Sequence, residues 1–169
     1  MIYFCFPFFL MELLTSVWIL ISYFGSIIYW LGFALSFILI YPFLRKKDKE
    51  NVKWVLHYLL PAILLSYVSS SFLKIIFKIP RICIGFDYCP ETYAFPSGHA
   101  TIALAFSTII FLQFRKNPKI YIPAFILSLL ICYSRLVLNV HTIFDVISGA
   151  IVGVIISSIW YLFRESRKQ

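Results

Sequence analysis

The sequence predicts an all-α polytopic membrane protein: a bundle of six transmembrane helices, five in the alternative count, within one domain over residues 1–169. Three observations carry this. Hydrophobic residues make up 62% of the chain and charged residues only 13%, about half the charged share of an ordinary soluble domain. Apolar runs close to the ~20 residues needed to cross a bilayer recur along the chain. Eleven of the 15 lysines and arginines cluster at the ends of those runs, the pattern of cytoplasmic helix ends. Mean hydropathy is +0.91.

The N-terminus, MIYFCFPFFL, lacks a basic leader and a small-residue cleavage site, so it does not read as a removable signal peptide. Residues 1–44 are expected to hold two spans turning near Phe24 to Ser26, with Glu12 in the first. One long helix after an interfacial segment gives the five-span count. A motif-bearing core over 54–163 follows. Its spans are Trp54 to Phe77 (with a kink expected at Pro61), Gly98 to Phe114, Ile120 to Leu138, and Val140 to Phe163.

Charge sets the orientation. The clusters are Arg45, Lys46, Lys47, Lys49 and Lys53; Arg115, Lys116 and Lys119; and Arg164, Arg167 and Lys168. With these inside, the four remaining cations (Lys74, Lys78, Arg81 and Arg135) all fall at the outer face, together with Ser97, His99 and His141. No basic stripe interleaved with exposed aromatics suggests nucleic acid. The outer loop from Arg81 to Phe95 carries Cys83 and Cys89, for which a disulfide and free thiols are both compatible with an oxidising compartment. Cys5 and Cys132 read as buried small residues. The four cysteines lack paired C-x2-C spacing, so no zinc site is expected.

Two outer helix starts look suited to an anion. Ser97 in PSGHA is expected to cap its helix and leave the amides of Gly98 and His99 at the positive end of the dipole. Asn139 is expected to cap the last span, placing His141 in its first turn. Helix N-termini bind phosphate readily, and Lys74, Arg81 and Arg135 add cationic donors. His141 and Asp145 lie four apart, one helical turn. A histidine hydrogen-bonded to a carboxylate is held in one tautomer and made a better nucleophile. Asp145 would do this for His141, and His99 would protonate the leaving oxygen and later deprotonate water. The cations would neutralise the equatorial phosphoryl oxygens. No carboxylate cluster offers a magnesium site, so neither a metal nor another cofactor is expected.

These residues resemble the type 2 phosphatidic acid phosphatase (PAP2) family, with motifs K-x6-R-P, P-S-G-H and S-R-x5-H-x3-D. They appear here as KIIFKIPR (Lys74 to Arg81), PSGH (Pro96 to His99) and SRLVLNVHTIFD (Ser134 to Asp145). Ile82 stands where the first motif has proline, and Pro80 comes earlier. The resemblance implies a PAP2-like core and a phosphohistidine intermediate on His141, with Asp145 orienting it and His99 as general acid. Lys74, Arg81, Ser97, Gly98 and Arg135 would bind the phosphoryl oxygens, without a metal.

Outside the motifs, plainer readings hold. His57 is an interfacial or core histidine, Gly149 and Gly153 serve close helix packing, Lys78 is interfacial, and Tyr93 and Phe95 are interface aromatics. The expected function is a lipid phosphatase at the extracytoplasmic face of the cytoplasmic membrane. Its substrate would be lipid A 1-phosphate, undecaprenyl pyrophosphate, phosphatidylglycerophosphate or phosphatidic acid, with the bilayer itself as partner and no obligatory protein partner. In size the chain resembles the small bacterial lipid A 1-phosphatases. The alternatives are a non-catalytic lipid-phosphate binder or transporter, which needs the cations but not a nucleophile, and vanadate-dependent haloperoxidase chemistry, whose soluble and much larger enzymes six spans argue against.

Overall fold

The computed structural model describes residues 5–83 and 89–167, leaving aside the side chains of 5–13 and of Lys47. The readings that concern the side chains of Cys5, Glu12 and Lys47, and Lys168, therefore lie outside the described residues. Seven α-helices and no strand occur among the described residues: α1 (Cys5–Tyr23), α2 (Ile27–Ile40), α3 (Lys46–Trp54), α4 (Leu60–Phe77), α5 (Gly98–Phe114), α6 (Pro118–Val137) and α7 (Ile143–Ser166). The chain is an all-helical membrane bundle.

The spans sit close to where the hydropathy puts them. Asp48–Phe77, Pro118–Val137 and Ile143–Ser166 are each long and apolar enough to cross a bilayer, while Gly98–Phe114 is shorter. The polar α3 runs into α4 through a π turn, Val55–Leu59, and Pro61 follows in the first turn of α4. A proline ring clashes with the carbonyl four residues back, and the wider π turn is a usual site of such adjustment. At the N-terminus, α1 and α2 break near Phe24 to Ser26 as expected, but the axis bends by only 54° there, so the two helices can form one broken span. That corresponds to the five-crossing arrangement. Ser26 caps α2 by accepting from the amide of Ile28, and the Trp30 indole donates to the carbonyl of Phe24 at 3.0 Å.

Helix α5 is the axis of the bundle. Ala100, Thr101, Ile102, Ala103, Ala105 and Ile109 are all buried. On one side Ile102 and Ile109 join Trp30, Tyr58, Leu59, Ala62 and Ile63. On the other, Ala100, Ala103 and Leu104 meet Ile131, Cys132 and Val146. The α5–α7 contact is the most extensive, and the glycines of α7 let the two helices approach. A Cβ on Gly149 would strike the carbonyl oxygen of Ser97, and one on Gly153 that of Thr101. The packing role expected of Gly149 and Gly153 is what the structure shows, and Cys132 is free and buried as expected.

The apolar surplus faces outward. Ile28, Phe72, Phe144, Ile159 and Leu162 are each more than half exposed. So much exposed apolar surface would be a liability in water; in lipid it is the ordinary outer surface of a bundle whose backbone bonds are satisfied internally.

Candidate active site

The C-terminal ends of α4 and α6 and the N-terminal ends of α5 and α7 converge on one polar site. Lys74, in the last turn of α4, donates to the carbonyls of Tyr93 at 2.7 Å and Ala94 at 2.9 Å. Arg81, in the following loop, donates through Nε to the Thr92 carbonyl at 2.7 Å and through Nη2 to the Thr92 hydroxyl at 2.9 Å. Its Nη1 reaches the Val140 carbonyl at 2.9 Å and Nε2 of His141 at 3.0 Å. Between Arg81 and Thr92, Cys83 and Cys89 form a disulfide, one of the two alternatives that the sequence left open.

The Arg81–His141 contact defines the protonation of the imidazole. A guanidinium only donates, so Nε2 must accept and the ring proton sits on Nδ1. This tautomer follows from the hydrogen bond. Burial, reinforced by the charges of Arg81, Arg135 and Lys74 and by His99, holds His141 well below its ordinary pKa and therefore neutral. Burial likewise lowers the pKa of Arg81.

Two expectations about helix starts need correction. Asn139 does not cap α7: it has φ 51°, the left-handed geometry that ends a helix, just beyond α6. Thr142 is the cap instead. Its hydroxyl accepts from the Asp145 amide at 3.2 Å, while Asp145 Oδ2 accepts from the Thr142 amide at 2.8 Å. This is a reciprocal capping box, and it leaves His141 outside the helix, just before its first turn. Asp145 Oδ2 lies 3.6 Å from Nδ1 of His141, beyond hydrogen-bonding range, because that oxygen is held by the cap. With the ring neutral, the contact is not an ion pair in this state.

Ser97 also differs from expectation. It occupies the N-cap position of α5, but its side chain makes no cap bond. Its amide instead donates to the Asp145 carbonyl at 2.9 Å, tying the start of α5 to α7. The hydroxyl is fully buried and makes no hydrogen bond among the described residues. The same holds for Nδ1 of His141 and Nε of Arg135. A buried polar group without a partner costs about 1–3 kcal/mol, and three such atoms belong to predicted site residues. The first amides of α5, at Gly98 and His99, have no intrahelical acceptor by helix geometry. A Cβ on Gly98 would stand an ordinary 3.6 Å from Ser70 Oγ, so protein packing alone does not demand glycine there.

His99 and Arg135 face a cavity of about 570 Å³, which also reaches Ser22 and Ile19 of α1, Pro90 of the disulfide loop, and Val140. Arg135 is buried and donates through Nη1 to the hydroxyl of Ser22.

The profile of the PAP2 superfamily matches residues 54–169. The chain belongs to the PAP2 superfamily. Among curated relatives, a lipid A 4'-phosphatase of Porphyromonas gingivalis is 29% identical over 151 residues; the match covers 82% of this chain and 63% of that protein. Among solved structures, a transmembrane PAP2-type phosphatidylglycerolphosphate phosphatase from Bacillus subtilis shares the fold. Its TM-score is 0.73 at 22% identity, over 90% of this chain and 77% of that one. Aquifex aeolicus LpxE superposes with TM-score 0.65 at 30% identity, over 88% and 86% of the two chains. Both superpositions cover more of the chain than the PAP2 profile does, so the likeness reaches into the helices before Trp54.

The structure thus gathers the predicted PAP2 motif residues at one end of the bundle. Reading the sequence missed five of their partners: Ser22, Thr92, the Ala94 and Val140 carbonyls and Thr142. Only Thr142 carried a signal, since T-x-x-D before an apolar run is a capping-box pattern. His57, expected to lie outside the site, sits in the π turn before α4, with Nδ1 2.7 Å from the Lys53 carbonyl. Phe95 packs against Phe77 with ring centroids 5.1 Å apart, and Tyr93 contributes to the site through its backbone.

Proposed function

We propose that this PAP2 protein is a membrane lipid phosphatase that removes a terminal phosphate through a phosphohistidine on His141. The observation that carries the reading is the Arg81–His141 hydrogen bond. It leaves the imidazole neutral, with its Nε2 lone pair turned toward a cation able to hold a phosphoryl oxygen. The substrate's phosphoryl group would take that place, between Nε2 and the donors of Arg81, Arg135, Lys74, the Ser97 hydroxyl and the Gly98 amide.

In the first step Nε2 forms a bond to phosphorus while the bond from phosphorus to the leaving oxygen breaks. His99 gives that oxygen its proton, and the displaced lipid leaves. In the second step His99 takes a proton from water, whose oxygen attacks phosphorus as the P–Nε2 bond breaks, releasing phosphate and the neutral imidazole. During the first step the ring becomes cationic, and Asp145 then stabilises Nδ1–H from one turn away. The buried, unpartnered atoms of Ser97 and Arg135 support this reading, because donors set in place before reaction need little reorganisation as charge develops.

The site is assigned to the extracytoplasmic face of the cytoplasmic membrane. The basic ends of α3, α5 and α7 lie at the opposite end of the bundle, as the positive-inside pattern requires, and the disulfide loop suits an oxidising compartment. An amphiphilic substrate suits a site at a bilayer surface, and the name of the Porphyromonas gingivalis relative favours a lipid A phosphate.

The test is phosphate release by purified protein in detergent with EDTA. The panel would be lipid A bearing 1- and 4'-phosphates, undecaprenyl pyrophosphate, phosphatidylglycerophosphate and phosphatidic acid. Release that survives EDTA and is lost in His141→Ala and in Asp145→Asn supports the mechanism, and mass spectrometry of the lipid A product locates the phosphate removed. Release retained in His141→Ala removes the nucleophile. Lipid-phosphate binding without turnover in the wild type would indicate a binder or transporter.

A further inference from the structure

The PAP2 profile begins at Trp54, yet a side chain from the helices before it reaches the site. The hydroxyl of Ser22, in the last turn of α1, accepts a hydrogen bond from Nη1 of Arg135, across 113 residues of chain. Both residues are buried, at 6% and 7% exposure, and both face the cavity that holds His99. Nε of Arg135 makes no hydrogen bond among the described residues. One edge of the guanidinium is therefore anchored on α1, while its Nε–H is left for another acceptor.

The turn after Ser22 is built to keep it there. The Gly25 amide donates to the Ser22 carbonyl at 2.9 Å, and the Trp30 indole secures the Phe24 carbonyl. Gly25 lies so close to the site that a Cβ would sit 3.1 Å from Cβ and Cδ2 of His99 and 2.7 Å from Cγ2 of Ile131. Farther along α1, Trp18 packs edge-on against Tyr133 of α6, with ring centroids 5.2 Å apart. Helix α1 is thus braced on the helix that carries Arg135.

We propose that Ser22 is a positioning residue that holds the Arg135 guanidinium with its Nε edge toward the bound phosphoryl group, which makes α1 part of the active site. The inference rests on the proposed function only in that the ligand is a phosphoryl group. A guanidinium binds phosphate oxygens in a fixed fork geometry, and a long side chain without its anchor samples other rotamers. The hydroxyl therefore acts through the orientation of Arg135 and not through contact with substrate.

The experiment measures equilibrium binding of orthovanadate and of inorganic phosphate to the full chain in detergent, for wild type, Ser22→Ala and Ser22→Thr. Lipid phosphate turnover is measured in parallel. Ser22→Ala is expected to weaken anion binding about tenfold, the scale of one hydrogen bond to a charged group. Ser22→Thr, which keeps the hydroxyl, should stay within about twofold of wild type. In an Arg135→Lys background the Ser22→Ala effect should shrink to below about twofold, since coupled residues are not additive. Unchanged anion binding in folded Ser22→Ala would overturn the proposal. So would an equal loss in Ser22→Ala and Ser22→Thr, or the full loss persisting in the Arg135→Lys background. If the wild type binds orthovanadate but hydrolyses no lipid, the proposed function fails while the Ser22 arm is still read; if it binds neither anion, both fail.

Discussion

Gly149→Ala should inactivate the protein without unfolding it. The new methyl would meet the carbonyl oxygen of Ser97, and Thr101 Oγ1 and Ser97 C would lie 3.1 and 3.2 Å away. Two of these three atoms are backbone or carbonyl and cannot rotate aside. Helices α5 and α7 must then separate locally by about 1 Å to restore van der Waals distance. That shift falls on the residue whose amide bonds to Asp145, within two turns of His141. Overpacking of this kind costs about 1–3 kcal/mol of stability. A displacement of about 1 Å between reacting groups costs on the order of 100-fold in rate. The assay is initial phosphate release and thermal unfolding in detergent, beside two other substitutions. Gly153→Ala meets the Thr101 carbonyl one turn farther from the site, so it should lose stability similarly but keep more activity. Gly32→Ala, whose Cβ would meet nothing within 4 Å, should leave activity intact. A Gly149→Ala protein with wild-type turnover, or one no less active than Gly153→Ala, would refute the reasoning that α5–α7 contact sets the active-site geometry.

Thr142→Ala removes one half of the capping box and should lower stability by about 1 kcal/mol. It should also lower turnover, because Asp145 loses its fixed orientation; a Thr142→Ser protein that failed to recover both properties would count against the cap. For His141, a lowered pKa means that the ring stays neutral as pH falls through 6.5, the ordinary histidine value, and charges only well below it. Nitrogen NMR of ¹⁵N-histidine-labelled protein should show the Nδ1–H tautomer unchanged from about pH 8 to pH 5, and turnover should show no acid limb from His141 in that window. A His141 titration centred near 6.5 would show that the buried, cation-lined environment does not govern the ring.

Much of this molecule was legible in one dimension because the controlling physics is local. Bilayer thickness sets the length of each apolar run, so Trp54 to Phe77, Gly98 to Phe114 and the two later spans were close to the helices observed. The motif residues were found because each sits at a helix end or in a short connection, where a polar residue in an apolar chain stands out. The glycine pair in α7 was likewise visible as a step of four on one face.

Other features were settled only by the tertiary structure. Asn139 and Thr142 were both competent caps by residue type, and the choice between them depended on where α6 stopped, which moved His141 out of the helix and left Asp145 short of a hydrogen bond to it. The sequence pattern of Ser97 is that of a cap, but packing against α7 turned its amide to Asp145 and left its hydroxyl unpaired. Arg81 and His141 are 60 residues apart, and Ser22 and Arg135 are 113 apart; no periodicity links such pairs. Composition and spacing determined that this chain lies in a membrane, and singled out the residues from which phosphate binding and histidine chemistry are proposed. Which nitrogen of His141 is unprotonated, and which helix anchors Arg135, were decided by contacts that exist only once the helices pack, because hydrogen bonds between distant segments depend on ångström-scale placement that local sequence does not encode.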